Sequence, residues 1–108
     1  LEASRQAYTG ILTDQSRVLH AGEAETSMVL ALTPDRVDEE TMRSAPNAPF
    51  TRAADAGHYQ FSGFDAFTKT GVNGITKNAS AAKGEALLAA SADAVAEVLR
   101  AQFDPAKG

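Results

Sequence analysis

Hydrophobic residues recur at helical spacing in two stretches of the chain, and a long segment with no sustained period separates them. In the first stretch, Ala24, Met28, Ala31 and Leu32 lie on one face between Glu23 and Leu32, Gly22 precedes them and Pro34 blocks continuation. That pattern predicts a short, largely buried helix. In the second, Gly84, Leu87, Leu88, Ser91, Val95, Val98 and Leu99 follow three-and-four spacing from Ser80 to Gln102. Ser80 is placed as an N-cap, Pro105 as a stop, and Glu85, Asp93, Glu97 and Arg100 mark the opposite face. A helix of that length spans about 30 Å. Its many alanines (Ala81, Ala82, Ala89, Ala90, Ala92, Ala94, Ala96) permit close approach to a neighbouring sheet or helix.

The remaining segments are less regular. The apolar pairs Ile11–Leu12 and Val18–Leu19 suit entry into a buried strand or a turn. From Pro34 to Met42, proline at a first helical position is followed by Asp35, Asp38 and Glu39, which suits the positive end of a helix dipole, although a solvated surface turn is the favoured reading. Between Arg43 and Lys77 the chain carries Pro46, Pro49, Gly57, Gly63, Gly71 and Gly74. A connection of that length belongs to a functional loop or an interface. Phe50, Tyr59, Phe61, Phe64 and Phe67, five of the seven aromatic residues, sit in it, so the rest of the protein, another subunit or a substrate must cover their rings.

Composition narrows the partners. A chain of 108 residues is one domain at most, and 44% hydrophobic with 22% charged residues is ordinary for a folded protein. The net charge of −4, with no lysine or arginine cluster, argues against nucleic acid. Absence of cysteine excludes a thiol nucleophile and a cysteine-held zinc, and is compatible with a reducing cytosol. No apolar run approaches the ~20 residues of a membrane span, so a cytoplasmic location with no membrane partner is expected. The start at Leu1, without methionine, reads as a processing or cleavage point in something longer.

Candidate chemistry concentrates in His20-Ala-Gly22-Glu23-Ala-Glu25-Thr-Ser27. On one continuous helix His20 and Glu25 would point about 140° apart. With His20 on a loop, a bend at Gly22 and Glu25 in the first helical turn, both side chains can converge on one point. A histidine can then shuttle a proton, while a carboxylate binds a metal, orients the histidine or holds an amino group. The plainer alternative is a structural histidine with Glu23 and Glu25 acting locally on the helix dipole, at about 0.3–1 kcal/mol each.

The run from His20 to Ser27, followed by Met28-Val-Leu-Ala-Leu-Thr-Pro34-Asp35-Arg-Val37, resembles the His-Ala/Gly-Gly-x-x-Glu-Thr-Ser segment of the creatininase family. Gly71-Val-Asn-Gly74 and Ala79-Ser-Ala-Ala-Lys83-Gly84-Glu-Ala-Leu-Leu88 are similar to that family's closing segment and terminal helix. Two anchors in this order cover most of Val18 to Leu99; from Arg43 to Thr70 the likeness is one of length and position alone.

The resemblance implies that residues 1–108 are the C-terminal portion of a single α/β domain, part of a compact three-layer fold with a mainly parallel sheet flanked by helices. It also implies a two-metal site of zinc or manganese type and hydrolysis of a carbon–nitrogen amide bond in a small molecule. His20 inherits the role of proton donor to the leaving nitrogen, Gly22 and Glu25 stand at the substrate or behind the site, and Glu25 is the candidate metal ligand. The family's main ligands lie in an N-terminal half whose motifs this chain lacks. With His20 and His58 as its two histidines, 108 residues cannot supply a two-metal site. His58, beside Gly57, is read as a surface residue. The implied partners are therefore an N-terminal polypeptide of the same enzyme, further copies of the complete unit and a small-molecule substrate.

Departures limit the substrate. Leu19 replaces the acidic residue, and Ser16 the tryptophan, that precede the histidine in creatininase itself, and the chain has no tryptophan at all. Formamides or short peptides gain on creatinine as substrates. A rival reading is a non-catalytic interaction module docking through its aromatic segment and alanine-rich helix. A nucleotide site at Gly71-Val-Asn-Gly74 is disfavoured, since a phosphate loop's lysine and its following Ser or Thr are misplaced.

Overall fold

The computed structural model describes residues 6–15, 18, 20–47 and 68–107. They include α1 (Glu23–Leu32), α2 (Glu39–Ser44) and α3 (Ala81–Phe103), with 3-10 turns at Pro34–Arg36 and Pro105–Lys107, and Gln6 and Ala7 are helical as well. Both amphipathic stretches are helical as their periodicity predicts, but the buried face of α1 is Glu23, Ala24, Ser27 and Leu30, while Leu32, expected on it, ends the helix exposed. Phe50, His58, Tyr59, Phe61, Phe64 and Phe67 lie outside the described residues, as do Ser16 and Leu19.

The packing of α1 on α3 is the main tertiary contact among these elements. At α3's first turn the Ser80 side chain accepts from Lys83 N at 3.2 Å, so the cap read from the sequence is present. Ser80 N in turn donates to the fully buried Ser27 Oγ of α1 at 3.1 Å, which ties the cap to the other helix. A side chain at Gly84 would meet Ser27 O at 1.9 Å, so this crossing requires glycine. Leu87, fully buried, and Ala94 are the other buried residues of α3.

The buried part of α3 is shorter than the apolar stripe of the sequence. Val95, Val98 and Leu99, expected on the covered face, are 55%, 47% and 52% exposed. The reason is length, because α1 has 10 residues and α3 has 23. At 1.5 Å per residue, α1 reaches along less than half of its partner.

The segment after α1 combines both readings of Pro34–Met42. The 3-10 turn at Pro34–Arg36 buries nothing, as a surface turn should. Beyond it, Asp38 caps α2, accepting from Thr41 N at 3.0 Å, and α2 buries Met42. Met42 joins Leu30 and Ala79, with Val37 packed against them, in a small core. Thr76 Oγ1 donates to Met42 O at 2.8 Å and fastens the later chain to α2.

No strand occurs among the described residues, so the parallel sheet implied by the resemblance is not among them. Ile11 and Leu12 lie in a turn closed by their amides on Tyr8 O rather than in a strand. The amides that follow, at Thr13, Asp14 and Gln15, are taken by one carboxylate instead of a ladder.

Candidate functional site

His20 sits in a turn immediately before α1 and its residue is exposed. Its carbonyl accepts from Asn73 N at 2.9 Å, which joins the two motif regions, 53 residues apart, at the backbone. The next residue, Ala21, has φ 52°, a left-handed conformation that costs a residue with a Cβ about 1–2 kcal/mol. Such a conformation persists where its surroundings over-determine it. Here Ala21 N donates to Glu25 Oε2, and Ala21 O accepts from Thr26 Oγ1 at 3.1 Å.

The bend expected at Gly22 is therefore made by Ala21, since Gly22 has φ −88° and ψ −154°, open to any residue. Glycine at 22 instead makes room for a side chain: a Cβ there would lie 2.3 Å from Gln15 Oε1, so the Gln15 amide would have to leave its place. Gly74 faces the same amide, with an added Cβ 2.9 Å from Gln15 Oε1 and 3.0 Å from Gly22 Cα. Gln15 Oε1 accepts from Glu23 N at 2.9 Å and from Ile75 N at 3.2 Å, so one side-chain oxygen bridges the start of α1 and the 71–75 turn.

Glu25 stands in the first turn of α1, as the sequence requires, and lines an apolar cavity of about 430 Å³. Ala21, Thr26, Val29, Arg36, Met42 and Val72 are among its other walls. The motif thus borders a space of small-molecule size with few polar groups, the usual character of a ligand site.

Glu23, read from the sequence as merely local, is the most heavily bonded side chain here. It is fully buried and accepts from Thr13 N (2.8 Å), Thr13 Oγ1 (3.0 Å), Asp14 N (2.8 Å), Gln15 N (3.1 Å) and Lys83 Nζ (2.7 Å). Burial opposes its charge, but the Lys83 ammonium and the Thr13 and Asp14 donors outweigh it and hold the carboxyl below the usual carboxylate range. Lys83, 60 residues away, also donates to Thr13 Oγ1 and Asn78 O, completing the three bonds an ammonium can make. The signal for this pairing was a lysine one turn into a helix and a glutamate at the start of another, which has no sequence spacing to announce it.

The implied metals do not fit these residues alone: among the described residues no three His, Cys, Asp or Glu side chains cluster to hold an ion. Glu25 already accepts from Ala21 N with one oxygen, and Glu23 is consumed by its five donors. No helix among the described residues is long and apolar enough to cross a membrane.

Comparison with known proteins places this geometry. The family model described as "Creatininase: Creatinine amidohydrolase" matches residues 2–99. Among solved structures, a mutant creatininase complexed with creatine is similar at 30% identity and a TM-score of 0.66, over 96% of this chain. The present chain spans 39% of that protein's chain. Among curated proteins none matches.

Proposed function

The chain belongs to the creatininase family, and from that membership we propose that it is the C-terminal portion of an amidohydrolase cleaving a carbon–nitrogen bond in a small molecule, with His20 as proton donor to the leaving nitrogen. One observation carries the reading. His20 is the titratable side chain of a loop whose backbone is pinned on both sides, through Asn73 and through the strained next residue, Ala21, which lines an apolar cavity together with Glu25. An amide nitrogen is a poor leaving group until it is protonated, and a positioned imidazole supplies that proton near neutral pH. Apolar walls exclude water and favour a small, weakly charged substrate: a creatinine-like cyclic amide, a formamide or a short peptide.

The divalent ions of the family, two of zinc or manganese type, would activate the attacking water. In this reading their ligands come from residues outside this chain, in an N-terminal polypeptide that also supplies the sheet, with Glu25 as at most one contributor. The complete unit, an oligomer, is taken to work in the cytoplasm. Intact mass and metal content of the native material test the assembly, and His20→Ala tests the chemistry. Loss of turnover with metal content unchanged supports the proposal; unchanged turnover overturns the donor role. A second reading, a non-catalytic docking module, draws on the exposed apolar residues Leu32, Val95 and Phe103. It requires a lone, metal-free chain.

A further inference from the structure

The catalytic reading makes no use of the most deeply buried charge in the described residues, the Glu23 carboxylate. Replacing a buried ion pair by apolar groups is often neutral or stabilising, so stability by itself is a weak account of Glu23 and Lys83. An apolar side chain at position 23 could pack, but it could not receive three successive amides. The carboxylate takes those of Thr13, Asp14 and Gln15 and so fixes the conformation of the segment from which Gln15 projects.

The Gln15 amide then lies where two glycines meet. Its oxygen would be 2.3 Å from a Cβ on Gly22 and 2.9 Å from one on Gly74, and both positions lack that atom. The same oxygen accepts from Glu23 N, at the start of α1, and from Ile75 N, two residues past the Asn73 amide that binds His20 O. A continuous path of hydrogen bonds therefore runs from Lys83 on α3 through Glu23 and Gln15 to the turn that holds the histidine's backbone. Every link is within ordinary bonding distance, the longest being 3.2 Å.

We propose that Gln15, seated by the Glu23–Lys83 ion pair, is the positioning residue that sets the placement of His20 against the leaving nitrogen. The inference rests on the proton-donor reading of His20. Gln15 touches no substrate; it holds the α1 start and the 71–75 turn at a fixed separation, and the His20 peptide spans that gap.

The test uses Gln15→Met, which keeps length and volume but removes the acceptor, beside His20→Ala and the pair Lys83→Met and Lys83→Arg. All are assayed in the assembled enzyme with creatinine, a formamide and a dipeptide as probes. Displacement of a reacting group by about 1 Å costs up to roughly 100-fold. Gln15→Met is therefore expected to lower kcat by about 10- to 100-fold with KM within about twofold, and to move the His20 ring cross-peak in an NMR spectrum. Lys83→Met gives the same pattern in weaker form, and Lys83→Arg restores it, which keeps the test decisive if Gln15→Met does not fold. Normal kcat and an unmoved His20 cross-peak in Gln15→Met, with turnover lost in His20→Ala, overturn this inference alone. Turnover retained in His20→Ala overturns it together with the donor reading.

Discussion

The two halves of α3 are built on opposite terms. In the first, Ser80 caps the helix and is itself anchored to Ser27, Lys83 reaches a buried carboxylate, Gly84 admits the α1 backbone and Leu87 is fully buried. In the second, Val95, Val98, Leu99 and Phe103 stand about half or more exposed along the same helix. Tyr8 bonds the helix between the two, its hydroxyl lying 2.6 Å from Ser91 Oγ, and the last buried residue of α3 is Ala94. The first half is a finished contact with polar groups paired at every step. The second is an apolar surface that the described residues leave open.

The contrast predicts where substitutions hurt. Glu23→Ala should have the largest effect, because it strands the Lys83 ammonium and unpairs three loop amides at once. Breaking a buried pair costs about 3–5 kcal/mol, and the lower end applies because Lys83 keeps some access to water. Urea unfolding reads the loss directly. The pH dependence follows from the same carboxyl. Its folded pKa lies below 4.5, the ordinary value for a glutamate, so its stabilisation is present above that value and is lost as pH falls through the folded pKa. Glu23→Gln should therefore lose stability at neutral pH and flatten the acid limb of the unfolding profile below about pH 4.5.

Next comes Gly84→Ala. In an open helix this change stabilises by about 1 kcal/mol. Here the new methyl would lie 1.9 Å from Ser27 O, a backbone atom that cannot swing aside, so α1 and α3 must separate. Overpacking of that kind costs about 1–3 kcal/mol or more, and the sign should reverse to a net loss of about 2 kcal/mol in the same urea experiment. Ser80→Ala follows at about 1 kcal/mol, the worth of an N-cap, read as a lower thermal midpoint. Its effect should be less than additive with Ser27→Ala, since the two residues share the link between cap and α1.

What the sequence made legible divides along the same line. Local rules sufficed for α1, for α3 and for the Ser80 cap, because spacing and capping residues act within one turn. They also placed Glu25 in the first turn beside a histidine-bearing loop. They failed for Glu23, whose donors lie 8–10 and 60 residues away and include backbone amides of a segment with no period of its own. They misassigned the bend, since Gly22 answers to the Gln15 side chain rather than to its own φ. The apolar stripe on α3 was read correctly as a stripe, but periodicity reports which residues share a face and not what covers it.

The smallest expected effect on the chain itself is also the most discriminating. Val95→Ser with Leu99→Ser removes two half-exposed apolar groups that lie beyond Gly84, Leu87 and Ala94, the buried residues of α3. Substitutions at such positions usually change stability by no more than about 0.5 kcal/mol, so unfolding of the isolated chain should scarcely move. If the open half of α3 packs against the N-terminal polypeptide, the double variant should lose co-purification with it, and with it the metal content of the assembly. Retained association in that variant would place the partner on another face and leave this stripe as ordinary exposed surface. Glu23→Ala gives the reverse profile, an unstable chain whose apolar stripe is intact, so the two variants together separate a fault in folding from a fault in assembly.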